Sequence, residues 1–147
     1  MATIHDLLKR KGNQVWTVSP NTSVLEALQL MAEKEIGALL VVEGSKISGI
    51  LSERDVVRSI AKTERCQLNT VVLEYMTNKV ITISSDQSID ECMQLMTKER
   101  IRHLPVVDKG KLVGLISIGD VVKELISSEE TTINTLKNYI EGRGYGM

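Results

Sequence analysis

The constraint that most narrows this sequence is that it repeats itself. Laid against residues 80–123 at a constant offset of 65, residues 15–58 match without a gap and share 18 identities in 44 positions. Ser23/Ser88, Met31/Met96, Leu39/Leu104, Gly49/Gly114, Ser52/Ser117 and Asp55/Asp120 are among the matched pairs. A lead-in recurs as well, Ile4–Leu8 resembling Val72–Met76. Its offset is 68, so copy one carries three additional residues around Lys11 to Gln14. A unit used twice in one chain is a supersecondary module that relies on its neighbour to cover its apolar face.

Both copies read alike. Val15–Val18 and Val80–Ile83 are short extended runs. Ser23 opens a helix with Val24, Ala27, Leu28 and Met31 at helical spacing, and Ser88 opens its counterpart with Ile89, Met93 and Met96. Strands over 38–42 and 46–51 flank Glu43-Gly44-Ser45. Strands over 104–107 and 111–116 flank Asp108-Lys109-Gly110, and both junctions have tight-hairpin chemistry. Ser52 and Ser117 then begin second helices, over 53–61 and 118–127. The expected fold class is α/β of the α+β kind: two β-α-β-β-α repeats packed sheet to sheet with pseudo-twofold symmetry. Repeat one spans 3–62, repeat two 72–127, and 128–147 a C-terminal helix and flexible tail. Ser127–Glu130 reads as a break. Ile133, Leu136 and Ile140 mark a separate short amphipathic helix over 131–140, and 141–146 a flexible end.

Composition removes several function classes. Lys and Arg number 18 against 19 Asp and Glu, for a net charge of −1, so no broad basic face for nucleic acid is expected. With no Phe, one Trp and three Tyr, the core must be aliphatic and a base-stacking platform is absent. Two Cys and two His are too few for a disulfide scaffold, and no metal centre is expected. No run approaches the ~20 apolar residues of a membrane span, and residues 1–12 lack the apolar centre of a signal peptide. A cytoplasmic protein with no membrane partner is therefore expected. No GxxxxGK[ST], HExxH or GxSxG motif occurs, and no nucleophile–base pair is apparent, which argues against an enzyme.

The chemistry-bearing feature is Gly49-Ile50-Leu51-Ser52-Glu53-Arg54-Asp55 and its counterpart Gly114-Leu115-Ile116-Ser117-Ile118-Gly119-Asp120. Ser-x-x-acid before an apolar run is a capping box, worth roughly 1 kcal/mol to its helix. Spacing alone favours the cap, and the functional alternative is that the same residues form a nucleotide cradle. Helix N-terminal N–H groups and the hydroxyl would hold phosphate, and the Asp would accept hydrogen bonds from two ribose hydroxyls. Gly49 and Gly114, at strand centres, would let a ligand ring approach the backbone.

The copies resemble cystathionine-β-synthase (CBS) domains, and the pair resembles a Bateman module. The resemblance rests on Ile101-Arg102-His103-Leu104-Pro105-Val106-Val107-Asp108 with Gly114 to Asp120, on Ile36 to Glu43 with Gly49 to Asp55, and on Tyr75-Met76-Thr77. It covers roughly residues 3–127, and the whole chain is similar to small stand-alone CBS-pair proteins. It implies a cleft between the copies for an adenosine-containing ligand: AMP foremost, with ATP, NAD or S-adenosylmethionine as alternatives, and no metal. Carried over, Asp55 and Asp120 would bind ribose, and Ser52 and Ser117 would sit by phosphate. Thr17, Thr82, Thr77, Lys79 and Val80 would line the adenine pocket. Ile36-Gly37-Ala38 and Arg102-His103-Leu104-Pro105 would form the opposite wall. Ser replaces the family's commoner Thr at both hydroxyl positions.

The copies also differ. Glu53-Arg54 stands where copy two has Ile118-Gly119. Arg54 is either a phosphate contact or a solvated helix-start residue, and Gly119 leaves room for a larger phosphate group. Arg102 pairs with phosphate or with a rim carboxylate, and His103 belongs to a pocket wall rather than to catalysis. Unequal clefts are expected, with either as the tighter. The resemblance implies a regulatory module without catalysis, a homodimer through helices 53–61 and 118–127, and an enzyme or transporter as the regulated partner. The competing reading is a structural dimerisation scaffold without ligand.

Overall fold

The computed structural model describes residues 2–140. The flexible end expected at 141–146 lies outside them. The order is α1 (Ile4–Lys11), β1 (Thr17–Val18), α2 (Val24–Lys34), β2 (Ala38–Glu43), β3 (Lys46–Ser52) and α3 (Glu53–Thr63). A 3₁₀ turn (Val72–Glu74) follows, then α4 (Ile89–Glu99), β4 (His103–Asp108), β5 (Lys111–Ser117) and α5 (Ile118–Ile140).

The duplication is visible bond by bond. β2 pairs antiparallel with β3 from Ala38↔Ser52 to Glu43↔Lys46, and β4 with β5 from His103↔Ser117 to Asp108↔Lys111. Each ladder slips at the matched Val41/Val42 and Val106/Val107. Lys109 and Gly110 both take positive φ, 51° and 77°, as a two-residue hairpin twisted to suit its strands requires. Ser23 and Ser88 accept the N–H of Glu26 and Glu91, capping α2 and α4.

Two expectations need correction. The extended run Val80–Ile83 makes only an isolated parallel bridge, Ile83↔Val106, whereas β1 pairs through Thr17↔Leu40 and Val18↔Val41. Pro105 stands where copy one has Leu40 and has no N–H to add to the ladder. The helices expected over 118–127 and 131–140 are one continuous helix, α5. Ser127-Ser128-Glu129-Glu130 contains neither Gly nor Pro to stop it, and the Ser127 hydroxyl accepts from Arg10 Nη1 at 3.2 Å.

Packing exchanges the lead-ins. Ile4, Leu7 and Leu8 of α1 are buried with Ile83, Ile89, Cys92, Met96, Leu104 and Ile116 of copy two. Val72 is buried with Val24, Met31, Leu39 and Leu51 of copy one, and Tyr75 and Met76 pack against the same cluster. The backbone seals both joints identically. Ile4 N–H donates to Gln87 O at 2.9 Å, and Val72 N–H to Thr22 O at 2.8 Å. The bridges Thr3↔Ser88 and Ser23↔Val71 repeat the same exchange.

This explains the strand glycines. A Cβ on Gly49 would stand 2.6 Å from Met76 Sδ and 2.8 Å from Thr77 O, and one on Gly114 2.7 Å from Leu8 Cδ2. Their missing side chains admit the exchanged lead-ins, not a ligand ring as the sequence suggested.

Candidate functional site

α3 begins where β3 ends, so the strand delivers Ser52 and Asp55 to one corner. Ser52 Oγ accepts the Asp55 N–H at 3.2 Å, and Asp55 Oδ2 accepts the Ser52 N–H at 2.9 Å and its hydroxyl at 3.0 Å. The capping reading is thus realised in full, with Asp55 Oδ2 turned to the backbone. Asp55 Oδ1 points the other way and accepts the Thr77 hydroxyl at 3.1 Å.

Thr77 is held there by the exchanged lead-in. Its N–H donates to Ile50 O at 2.8 Å and its carbonyl accepts the Ile50 N–H at 3.0 Å. Beyond it opens a cavity of about 420 Å³ between the copies. Ser52, Arg54 and Asp55 line it from copy one, with Gly37. Thr77, Lys79 and Val80 line it from the connecting segment. Arg102, His103 and Pro105 close it from copy two.

The other expected positions fall elsewhere. Thr17 and Thr82 are exposed and do not reach the cavity. Ile36 is half-buried against the copy-one core, and Ala38 and Leu104 are buried, Leu104 inside the copy-two core. Ser117, Gly119 and Asp120 stand together at the start of α5, outside this cavity.

Sequence reasoning missed Ile50, Glu53, Arg58, Ile81, Glu99, Arg100 and Ile101 on the walls. Arg58 had a signal. It lies four residues after Arg54 on α3, one helical turn on, and so shares its face. Arg100 had another: it ends α4 in the left-handed region (φ 55°), which aims the chain back toward β4.

The electrostatics favour an anion. Arg54, Arg58, Lys79, Arg100 and Arg102 line the cavity against Glu53, Asp55 and Glu99. A local excess of cations in a concave, half-enclosed space concentrates phosphate. His103 lies against Gly37, where a Cβ would stand 3.7 Å from its Cε1 and Nε2. Burial pushes its imidazole below the usual histidine range, Lys11 and Arg102 push the same way, and Asp120 and Glu53 oppose them. A half-buried imidazole whose neutral form is favoured serves as a wall. Among the described residues, no group of three or more His, Cys, Asp or Glu could hold a metal ion, and no helix is long and apolar enough to cross a membrane.

Comparison with known proteins identifies the family. The family model described as "CBS domain" matches twice, over residues 4–62 and 72–127. The CBS domain-containing protein CBSX3, mitochondrial, of Arabidopsis thaliana is 37% identical over 153 residues, covering 97% of this chain and 73% of that protein. The solved structure of a CBS-domain protein from Burkholderia ambifaria MC40-6 superposes with a TM-score of 0.81 at 52% identity, covering 86% of this chain and 95% of the other. CBSX2 in complex with AMP superposes at 0.71 with 25% identity, covering 86% and 98%. The CBS domain pair of protein MJ0100, in complex with 5-methylthioadenosine and S-adenosyl-L-methionine, superposes at 0.75 with 26% identity, covering 88% and 98%.

Proposed function

The chain belongs to the CBS-domain family and carries the domain twice, and from that premise we propose that it is a regulatory module that binds an adenosine nucleotide in the Asp55 cleft. It has no catalysis of its own in this reading. The observation that carries the reading is the cavity of about 420 Å³ that both copies line, with Ser52 and Asp55 at one end and five cationic side chains around it. Asp55 Oδ1 already accepts one hydroxyl, from Thr77. The 2′- and 3′-hydroxyls of a ribose present the same donor chemistry.

Charge selects among the candidates. The cationic walls suit a phosphorylated ligand, so AMP, ATP and NAD are favoured over S-adenosylmethionine, whose sulfonium adds positive charge. The AMP-bound relative supports the same choice. Adenine would lie between Ile50, Val80, Ile81 and Ile101, aliphatic side chains in a chain without Phe. Occupancy would pull the copies together across the cleft, and a partner enzyme or transporter would read the difference in packing. The outer helices support a homodimer. Val57 on α3 and Ile118 and Val122 on α5 are exposed at 65%, 44% and 46%, and pairing these helices would cover them.

One observation favours the scaffold reading instead: the caps complete themselves without ligand. Ser52/Asp55 satisfy one another, and so do Ser117/Asp120. Thermal unfolding with and without AMP, ATP, NAD and S-adenosylmethionine separates the two. A ligand at 100 times its dissociation constant adds about 2.7 kcal/mol of stability. No shift with any of them at millimolar concentration would leave the scaffold.

A further inference from the structure

The two repeat-equivalent carboxylates differ in what faces them. In copy one, Thr77 serves two acceptors: its N–H donates to Ile50 O and its hydroxyl to Asp55 Oδ1. In copy two the equivalent acceptors are Leu115 O and Asp120, each 65 residues on. Both are served by a single ammonium. Lys11 Nζ donates to Leu115 O at 2.5 Å and to Asp120 Oδ2 at 2.6 Å. Lys11 thus takes Asp120 Oδ2, which also accepts the Ser117 N–H at 2.8 Å, and sets a cation against the carboxylate that a ribose hydroxyl would need.

The origin of this contact is the three-residue difference between the copies. At the lead-in offset of 68, Lys11 corresponds to Lys79, which lines the open cavity. The second lead-in is one 3₁₀ turn ending at Glu74, whereas the first continues as α1 as far as Lys11. Lys11 therefore leaves from the last turn of an anchored helix. Its neighbour does the anchoring. Arg10 Nη1 is 3.3 Å from Glu124 Oε2, a carboxylate only 8% exposed, and donates to Ser127 Oγ. The Lys11–Asp120 pair is itself shielded, with side chains 35% and 20% exposed. A partly desolvated ion pair with a second acceptor on the same ammonium resists displacement by a neutral hydroxyl, which brings no charge to replace it.

We propose that Lys11 is a built-in occupant of the second cleft, so that each chain takes one nucleotide, at Asp55. This deepens the reading above and rests on it, because it takes Asp120 as the ribose carboxylate of the second cleft. Lys11 acts as the residue that decides which cleft is open.

The test is stoichiometry, measured on the full chain by isothermal titration and native mass spectrometry with AMP and, separately, ATP. The wild type is expected to take one nucleotide per chain, and Asp55→Asn to bind it at least tenfold more weakly. Lys11→Met, which keeps the aliphatic stem, is expected to take two, and Lys11→Met/Asp120→Asn to return to one. Lys11→Gln serves as a second opening variant, and the urea midpoint of each variant confirms that it is folded. Two nucleotides on the wild type, or still one on both folded Lys11 variants, would overturn the proposal while leaving nucleotide binding intact. Binding to no variant would overturn nucleotide sensing itself, and the proposal with it.

Discussion

Gly114 runs so close beneath Leu8 that a Cβ at position 114 would stand 2.7 Å from Leu8 Cδ2. Gly49 has the same relation to Met76, at 2.6 Å, but there Thr77 O also stands 2.8 Å away. A leucine methyl can shift and a backbone carbonyl held in a bridge cannot. Both Gly→Ala changes are expected to destabilise, in the range of about 1–3 kcal/mol for overpacking, with Gly49→Ala the costlier. Urea unfolding measures this. Gly49→Ala should also weaken nucleotide binding, because it displaces Thr77 from Asp55. A Gly114→Ala variant less stable than Gly49→Ala would contradict this account.

Asp55 and Asp120 should separate cleanly in binding. Asp55→Asn keeps an oxygen for the cap but loses the charge that faces Thr77. Hydrogen bonds to charged groups contribute about 1.5–3 kcal/mol, so AMP affinity should fall tenfold or more. Asp120→Asn should leave the affinity within about twofold, on the stated role of Lys11. Isothermal titration of both variants against AMP reads the contrast, and equal losses would show that the clefts share the ligand.

Asp120 also predicts an acid limb of stability. Burial alone would raise its carboxyl, but the Lys11 ammonium and the Ser117 N–H outweigh burial and hold it below the usual range. A carboxylate depressed in the folded state stabilises it above the unfolded value, about 3.9, and that contribution is lost as pH falls through the depressed folded value. Lys11→Met should therefore flatten the stability profile below about pH 4. Chemical unfolding followed from pH 5 downward tests this, and identical slopes in variant and wild type would sink it.

His103 acts at higher pH. Its folded value is lowered, chiefly by burial, so the unfolded chain binds the proton first. Stability is then undiminished above the ordinary value of about 6.5 and falls as pH drops from there toward the lower folded value. His103→Gln should reduce the loss in urea midpoint between pH 7.5 and pH 5.5.

The cysteines give a simpler contrast. Burial pushes the Cys92 thiol up to about 11 inside the copy-two core, whereas Cys66 is exposed. The thiolate is the reacting species. At pH 8 an aromatic disulfide reagent should therefore titrate one thiol in the native protein and two in denaturant. Rapid native modification of both would mean that the copy-two core opens readily.

Much of the fold was legible because repetition, caps and hairpins are local. Ser23, Ser52, Ser88 and the Asp108-Lys109-Gly110 turn signal through neighbours within a few residues. Asp55, Thr77 and Arg102 line the cavity and were legible in the sequence because they sit in recognisable motifs. The partner of each lead-in was not. Ile4, Leu7 and Leu8 have the same apolar spacing whichever copy they cover, and only tertiary packing chooses. The glycines misled for the same reason: a strand glycine signals close approach without saying of what. Lys11 was hidden more deeply. Its reach to Asp120 depends on where α1 docks, and a flexible basic side chain carries no periodicity. The unbroken α5 reflects a weak signal, since Ser and Glu discourage a helix far less than Gly or Pro.

The exchange of lead-ins bears on how such a chain can be divided. A fragment ending near residue 66 would carry α1, whose apolar face belongs to a sheet it no longer possesses, while leaving its own sheet without Val72 and Met76. Two such halves would each be missing a piece that the other holds, which is the condition for complementation in trans and for domain-swapped oligomers. The intact chain keeps both pieces in cis, so its halves should melt in a single cooperative transition rather than one after the other.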